Sequence, residues 1–111
     1  MATNLDTEAV RELTLYADNT AELHRRECDI IRNLAKRIAK GTYDATLAPK
    51  LWRYWYDEAA KRYVREFGTP GERGYGFMTP AVRQAAADDK AVYEYERITS
   101  GEWSIMLGIP A

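Results

Sequence analysis

The chain contains one cysteine and one histidine among its 111 residues. Cys28 alone cannot form an intramolecular disulfide, and nothing in the cysteine usage points to an oxidising compartment. Zinc sites built from Cys and His take about four such ligands. Cys28 and His24 therefore exclude a structural zinc site within one chain. A di-iron bundle site uses two Glu-x-x-His motifs, and one histidine cannot supply both. No metal and no other cofactor is implied. No apolar run approaches the roughly 18 residues that span a bilayer. The opening stretch, Met1 to Val10, carries Asp6 and Glu8 and lacks an apolar run, unlike a signal peptide. The expectation is a cytoplasmic protein with no membrane partner. A dominant charge sign is also missing. Sixteen Lys and Arg face seventeen Asp and Glu, for a net charge of -1. That balance disfavours both a strongly basic nucleic-acid protein and a highly charged disordered chain. No alternation of period two suggests a strand, and no repeat or low-complexity tract is present.

Helical periodicity is present almost throughout. Thr7 to Ala17 reads as a short helix with Val10, Leu13 and Ala17 on one side. Asp18-Asn19-Thr20 interrupts it, and Asn19 with Glu22 resembles a capping box. Ala21 to Lys40 gives the clearest amphipathic pattern. Leu23, Cys28, Ile30, Ile31, Leu34, Ala35 and Ile38 share one face, and charged residues fill the other. Gly41 is its natural stop, because glycine enters the left-handed conformation without penalty. A second long helix follows from Asp44, or from Thr46, to Phe67, with Pro49 confined to its first turn. Trp52, Trp55, Tyr56, Ala59, Ala60, Tyr63 and Phe67 form its apolar face. Thr69 to Met78 reads as a loop. Thr79 and Pro80 then open a last helix as N-cap and first helical residue. It runs to about Ile98, with alanines that imply close approach to a neighbour. These features predict an all-α fold: a small antiparallel bundle of three long helices plus a short N-terminal one, spanning residues 1–102, with an apolar tail over 103–111. The expected core comprises Leu23, Ile30, Ile31, Leu34, Ile38, Leu51, Trp55, Ala59, Tyr63, Val82 and Tyr93.

Four features bear on function. His24 and Glu27 fall inside the apolar face of their helix. A buried ionisable pair must be hydrogen-bonded and attracts perturbed pKa values. It reads either as an acid/base pair or as a structural polar pair, and no third catalytic group accompanies it in sequence. Second, charge is segregated along the chain. Residues 1–31 carry three basic and seven acidic side chains, residues 32–83 eleven and five, and residues 84–111 two and five. Arg25, Arg32, Lys36 and Lys40 line one helix face, and Lys50, Arg53, Lys61 and Arg65 extend it if the two helices form a hairpin. Such a face suits phosphate backbones or acidic proteins, or is neutralised in space by the acidic ends of the chain.

The third feature is a surplus of aromatics. Most belong to a core, but Tyr54 lies on the basic side of its helix, where it is the best exposed candidate for stacking. The fourth is the tail, with Trp103, Ile105, Met106 and Leu107. It either folds back over the bundle or enters a groove on a partner. A GxxG sequence, Gly71 to Gly74, resembles the backbone clamp of some nucleic-acid modules, but those require a sheet. It reads as a flexible connection.

Leu15-Tyr16, Asp18-Asn19, Gly41-Thr42-Tyr43-Asp44, Leu47-Ala48-Pro49-Lys50-Leu51 and Ala60-Lys61-Arg62-Tyr63-Val64-Arg65-Glu66-Phe67 form a recognisable series. Across residues 15–68 the chain resembles a group of small uncharacterised helical proteins of bacteriophages and bacterial genomes. The resemblance implies a phage or mobile-element context, and by analogy an accessory role exercised by binding. It carries over no functional residue. The reading is a non-enzymatic protein that binds a protein partner or itself through its aromatic surface and tail. The alternative is a nucleic-acid-binding protein using the basic face between residues 25 and 65.

Overall fold

A computed structural model describes residues 4–67 and 79–103, with side chains from residue 8 onward. Four helices follow one another: α1 (Asn4–Asp18), α2 (Ala21–Lys40), α3 (Ala48–Phe67) and α4 (Pro80–Thr99). No strand occurs among the described residues. The N-terminal helix begins before the predicted Thr7, and the other helix bounds follow local chemistry.

Gly41 closes α2 in the left-handed conformation at φ 74°. Its N–H donates to Ile38 O at 3.2 Å, and the Thr42 N–H donates to Arg37 O at 2.8 Å. This is the Schellman pattern, which satisfies carbonyls that the last turn leaves open. Before α3, one carboxylate oxygen of Asp44 accepts from the Thr46 N–H at 2.8 Å and from the Thr46 hydroxyl at 2.7 Å. Pro49 then occupies the second helical position, where no hydrogen bond is lost. At α4 the Thr79 hydroxyl accepts from the Val82 N–H at 3.2 Å, and Pro80 is the first helical residue.

The junction of α1 and α2 departs from expectation. Thr20, not Asn19, is the N-cap, and its side chain makes no capping bond. Asn19 Nδ2 instead donates to Leu15 O at 2.9 Å, and the Thr20 hydroxyl donates to Tyr16 O at 2.7 Å. Both side chains complete the end of α1. Glu22 is free to turn outward to Arg62.

The core is built on α3. Trp52, Trp55, Tyr56, Ala59, Ala60 and Tyr63 are buried, with Leu13 and Ala17 from α1 and Leu23, Ile31 and Leu34 from α2. Trp55 Nε1 donates to Leu23 O at 2.7 Å, which ties α3 to the first turn of α2. α4 packs most extensively against α3. Val82, Ala86, Ala87 and Ala91 make its buried stripe with Ile98, and the small side chains let the helix backbones approach closely. Ile30, Ile38 and Leu51 are only partly buried. Tyr93, expected in the core, is 58% exposed. In its place Lys90 and Glu94 turn inward. No described helix is long and apolar enough to cross a membrane.

Candidate functional site

Three surfaces or cavities bring the chemically distinctive residues together. The first is a charged cavity of about 530 Å³ reached by all four helices. α2 contributes His24 and Glu27, α4 contributes Lys90 and Glu94, and Asp18, Asp89, Tyr56 and Trp103 complete much of its wall. Glu27 and Lys90 are nearly inaccessible and Glu94 is wholly so. Lys90 Nζ donates to Glu27 at 2.6 Å and lies 3.7 Å from Glu94. Its ammonium also sits 4.7 and 4.8 Å from the ring centres of Trp52 and Trp55. Cation–π attraction is strongest where the cation is desolvated, as here. Arg97 Nη1 donates to Glu94 at 3.1 Å, and Trp103 Nε1 donates to the other oxygen of Glu94. The inner quartet of two carboxylates and two cations is therefore neutral and mutually bonded. Asp18 lies at the cavity margin, where burial pushes its carboxyl above the ordinary range.

His24 and Glu27 do bond, with Nδ1 at 3.1 Å from the carboxylate, but only Glu27 is buried; His24 is 52% exposed, so the buried pair expected from the sequence is half a surface one. Sequence reading missed two of their neighbours. One is Lys90, which claims the other oxygen of Glu27. The second is Cys28, whose Sγ lies 3.6 Å from His24 Nε2. The i, i+3, i+4 spacing of His24, Glu27 and Cys28 was the available signal. A thiol, an imidazole and a carboxylate in contact have the makings of an activated nucleophile. Burial, however, raises the Cys28 thiol, and the neighbouring Glu27 charge raises it further. That environment disfavours the thiolate and so does not activate the sulfur. Among the described residues no group of three or more His, Cys, Asp or Glu side chains is placed to hold a metal ion.

The second surface is basic. On α2, Arg25, Arg32, Lys36 and Lys40 are exposed, as are Lys50, Lys61 and Arg65 on α3. Arg32 has a loose contact to Asp29 at 3.6 Å. The other six form no ion pair with a described residue. Arg53 does not belong with them. It turns toward α4, half-buried, and bonds Asp57 at 2.9 Å and Gln84 at 2.9 Å. Tyr54 is 76% exposed. Beside it lies a small groove between α2 and α3, lined by Arg26, Asp29, Ile30, Leu51, Tyr54 and Trp55.

The third surface is an apolar groove of about 700 Å³ along α4. Tyr43, Ala45 and Pro49 form one wall, and Ala91, Val92 and Tyr95 the other, with Asp88 and Glu96 at its edge. Val92 is 63% exposed and Tyr95 41%. Tyr43 and Tyr95 contact ring to ring at 4.9 Å. Sequence reading did not single out this surface, whose residues come from the α2–α3 connection, the start of α3 and the middle of α4.

The aromatic and tail residues of the sequence prediction divide. Tyr54 is exposed as expected. Trp103 is buried at 2%, packed beside Arg97 and bonded to Glu94, so it offers no free surface. Ile105, Met106 and Leu107 lie outside the described residues, as does the Gly71–Gly74 sequence. No protein-family model matches the chain, and no curated protein or solved structure shows significant similarity to it.

Proposed function

We propose that this chain is a protein-binding module that acts without catalysis and docks another chain, foremost a second copy of itself, through the α4 groove. One observation carries the reading. Val92 and Tyr95 are large exposed side chains on one helix that line a groove also walled by Tyr43 and Pro49. Exposed apolar patches on small domains mark interaction sites, and tyrosine is enriched where binding energy concentrates. The upward push of burial on the Cys28 thiol and the commitment of Glu27 to Lys90 favour binding over catalysis. We further read α2 with α3, and α3 with α4, as antiparallel neighbours. Glu22 meets Arg62 and Leu23 meets Trp55, while Asp57 meets Arg83 and Pro49 lies beside Ala91. Partner numbers fall along one helix as they rise along the next. A cytoplasmic accessory role, which the resemblance of residues 15–68 suggests only by analogy, fits this reading.

Sedimentation velocity on the full chain tests it. The expected result is concentration-dependent association that Val92→Glu and Tyr95→Glu each weaken, with helical circular dichroism unchanged. A chain that stays monomeric across the accessible range removes self-association. Association that neither substitution alters removes the groove.

A further inference from the structure

The basic surface on the opposite helices supports a second binding activity, independent of the α4 groove. We propose that the outer face of α2 and α3 binds single-stranded nucleic acid, with the backbone along the α2 cations and one base stacked on Tyr54.

The argument begins with charge that has no internal use. Most acidic side chains near this face are engaged: Asp57 bonds Arg53 and Arg83, while Glu58 and Glu22 both bond Arg62, and Asp29 stands exposed on it, with a 3.6 Å contact to Arg32. Arg25, Lys36, Lys40, Lys50, Lys61 and Arg65 are left without an ion pair to any described residue. Several acids of the chain's two ends stand elsewhere. Asp18 and Asp89 border the charged cavity, and Asp88 and Glu96 edge the α4 groove. Unpaired cations on a nearly neutral chain make a field that an external anion completes.

Spacing selects a polyanion. Arg32, Lys36 and Lys40 are four residues apart on α2, so successive side chains start about 6 Å apart along the helix axis. That interval is close to the phosphate spacing of an extended single strand. Tyr54 selects the single strand over the duplex. Its ring is the most exposed large apolar group among the described residues, at 76%. It stands beside a groove of about 320 Å³ whose walls include the Arg26 and Asp29 side chains and the apolar Ile30 and Leu51. A groove of that size admits one unpaired base and not a double helix. Tyrosine and arginine are the side chains on which bases stack without sequence preference.

Fluorescence anisotropy with the full chain and a labelled oligothymidylate of about twelve nucleotides, a length within the usual site sizes, tests the proposal. Neutralising about five phosphates of a single strand gives roughly a hundredfold loss of affinity between 50 and 200 mM salt. Tyr54→Ala is expected to weaken binding about tenfold, and Tyr54→Phe to restore it, because the ring alone stacks. The Arg32→Glu/Lys36→Glu double variant is expected to abolish binding. All these positions are exposed, so circular dichroism should be unchanged in each variant. No binding at 50 mM salt overturns the proposal. Equal affinity for a duplex of the same length, or no effect of Tyr54→Ala, overturns it by showing electrostatic adsorption alone. Binding to poly-glutamate with none to the oligonucleotide overturns it and assigns the face to an acidic protein.

Discussion

Lys90→Met is the sharpest perturbation of the interior. The ammonium of Lys90 is 2.6 Å from Glu27 and 3.7 Å from Glu94. Removing it does not orphan both carboxylates equally. Glu94 keeps Arg97 at 3.1 Å and the Trp103 indole N–H. Glu27 keeps only His24, which is itself half exposed. The loss is therefore concentrated on one nearly inaccessible carboxylate. Breaking a buried pair from one side costs about 3–5 kcal/mol. A domain of this size has a total stability of about 5–15 kcal/mol, so the variant loses a large share of it. With a urea dependence of about 1.5 kcal/mol per molar, the midpoint falls by roughly 2–3 M. Urea titration followed by tryptophan fluorescence measures this directly, because Trp52 and Trp55 flank the substituted group. The Glu27→Leu/Lys90→Met double variant separates causes. Replacing a whole buried pair by apolar groups is often neutral, so the double variant should unfold within about 1 kcal/mol of the parent chain. A single variant that costs under about 1 kcal/mol refutes the buried pair. A double variant as unstable as the single one refutes the unpaired charge as the cause and points to packing.

Trp103→Phe keeps most of the ring but removes the donor to the wholly buried Glu94, and should cost about 2 kcal/mol in the same titration. Gly41→Ala should cost about 1–2 kcal/mol through the backbone alone. No atom lies within 4 Å of the added Cβ, so the cost follows from the positive φ and not from a clash. Asp44 is held below the usual carboxylate range, first by the Thr46 hydroxyl and then by the Thr46 N–H. A depressed folded value means that its contribution is complete above the unfolded value and is lost as pH falls through the folded one. An NMR titration should place its midpoint below that of an unfolded peptide, and Asp44→Asn should remove this acid-side loss of stability. A midpoint at or above the peptide value would contradict the turn.

The parts of the fold legible in sequence were those set by local chemistry. Gly41, Thr79 and Pro80 each act within one turn, so residue type and position suffice to place the helix ends. The face of α4 was not legible in this way. Its alanines lie on both its exposed and its buried sides, and aromatic character drew Tyr93 inward in the reading. What decides the face is Lys90, whose partner Glu27 is 63 residues away in the chain. No local periodicity encodes a bond of that separation. Helical spacing did place His24 beside Glu27, but the same spacing could not show that the carboxylate belongs more to Lys90. Arg53 was misplaced for a related reason. It stands between the outer face of α3 and the α4 side, and Gln84 and Asp57 draw it toward α4.

The near-neutral total charge conceals this arrangement. A chain with equal numbers of both signs can pair them all, or can spend its acids unevenly. Here two carboxylates, Glu27 and Glu94, are consumed in the interior to hold Lys90 and Arg97. Glu22 and Asp57 are consumed between helices by Arg62 and Arg83, and Asp57 and Glu58 brace α3 through Arg53 and Arg62. Each of these pairs joins elements or braces one, so each acid is fixed by the fold. Of the acids outside these pairs, Asp18, Asp88, Asp89 and Glu96 sit at the cavity and the α4 groove, while Asp29 remains beside Arg32 on α2. The cations left over sit on α2 and α3. Sequence segregation of charge thus becomes spatial segregation, because the helices that carry the basic block turn their unpaired side outward. A net charge of -1 is then compatible with a strongly basic surface. The two outward faces also differ in kind. One is apolar with an acidic edge, and the other is cationic with a single exposed ring. A substitution that abolishes binding on one face should leave the other intact, since no residue named in either binding test serves both.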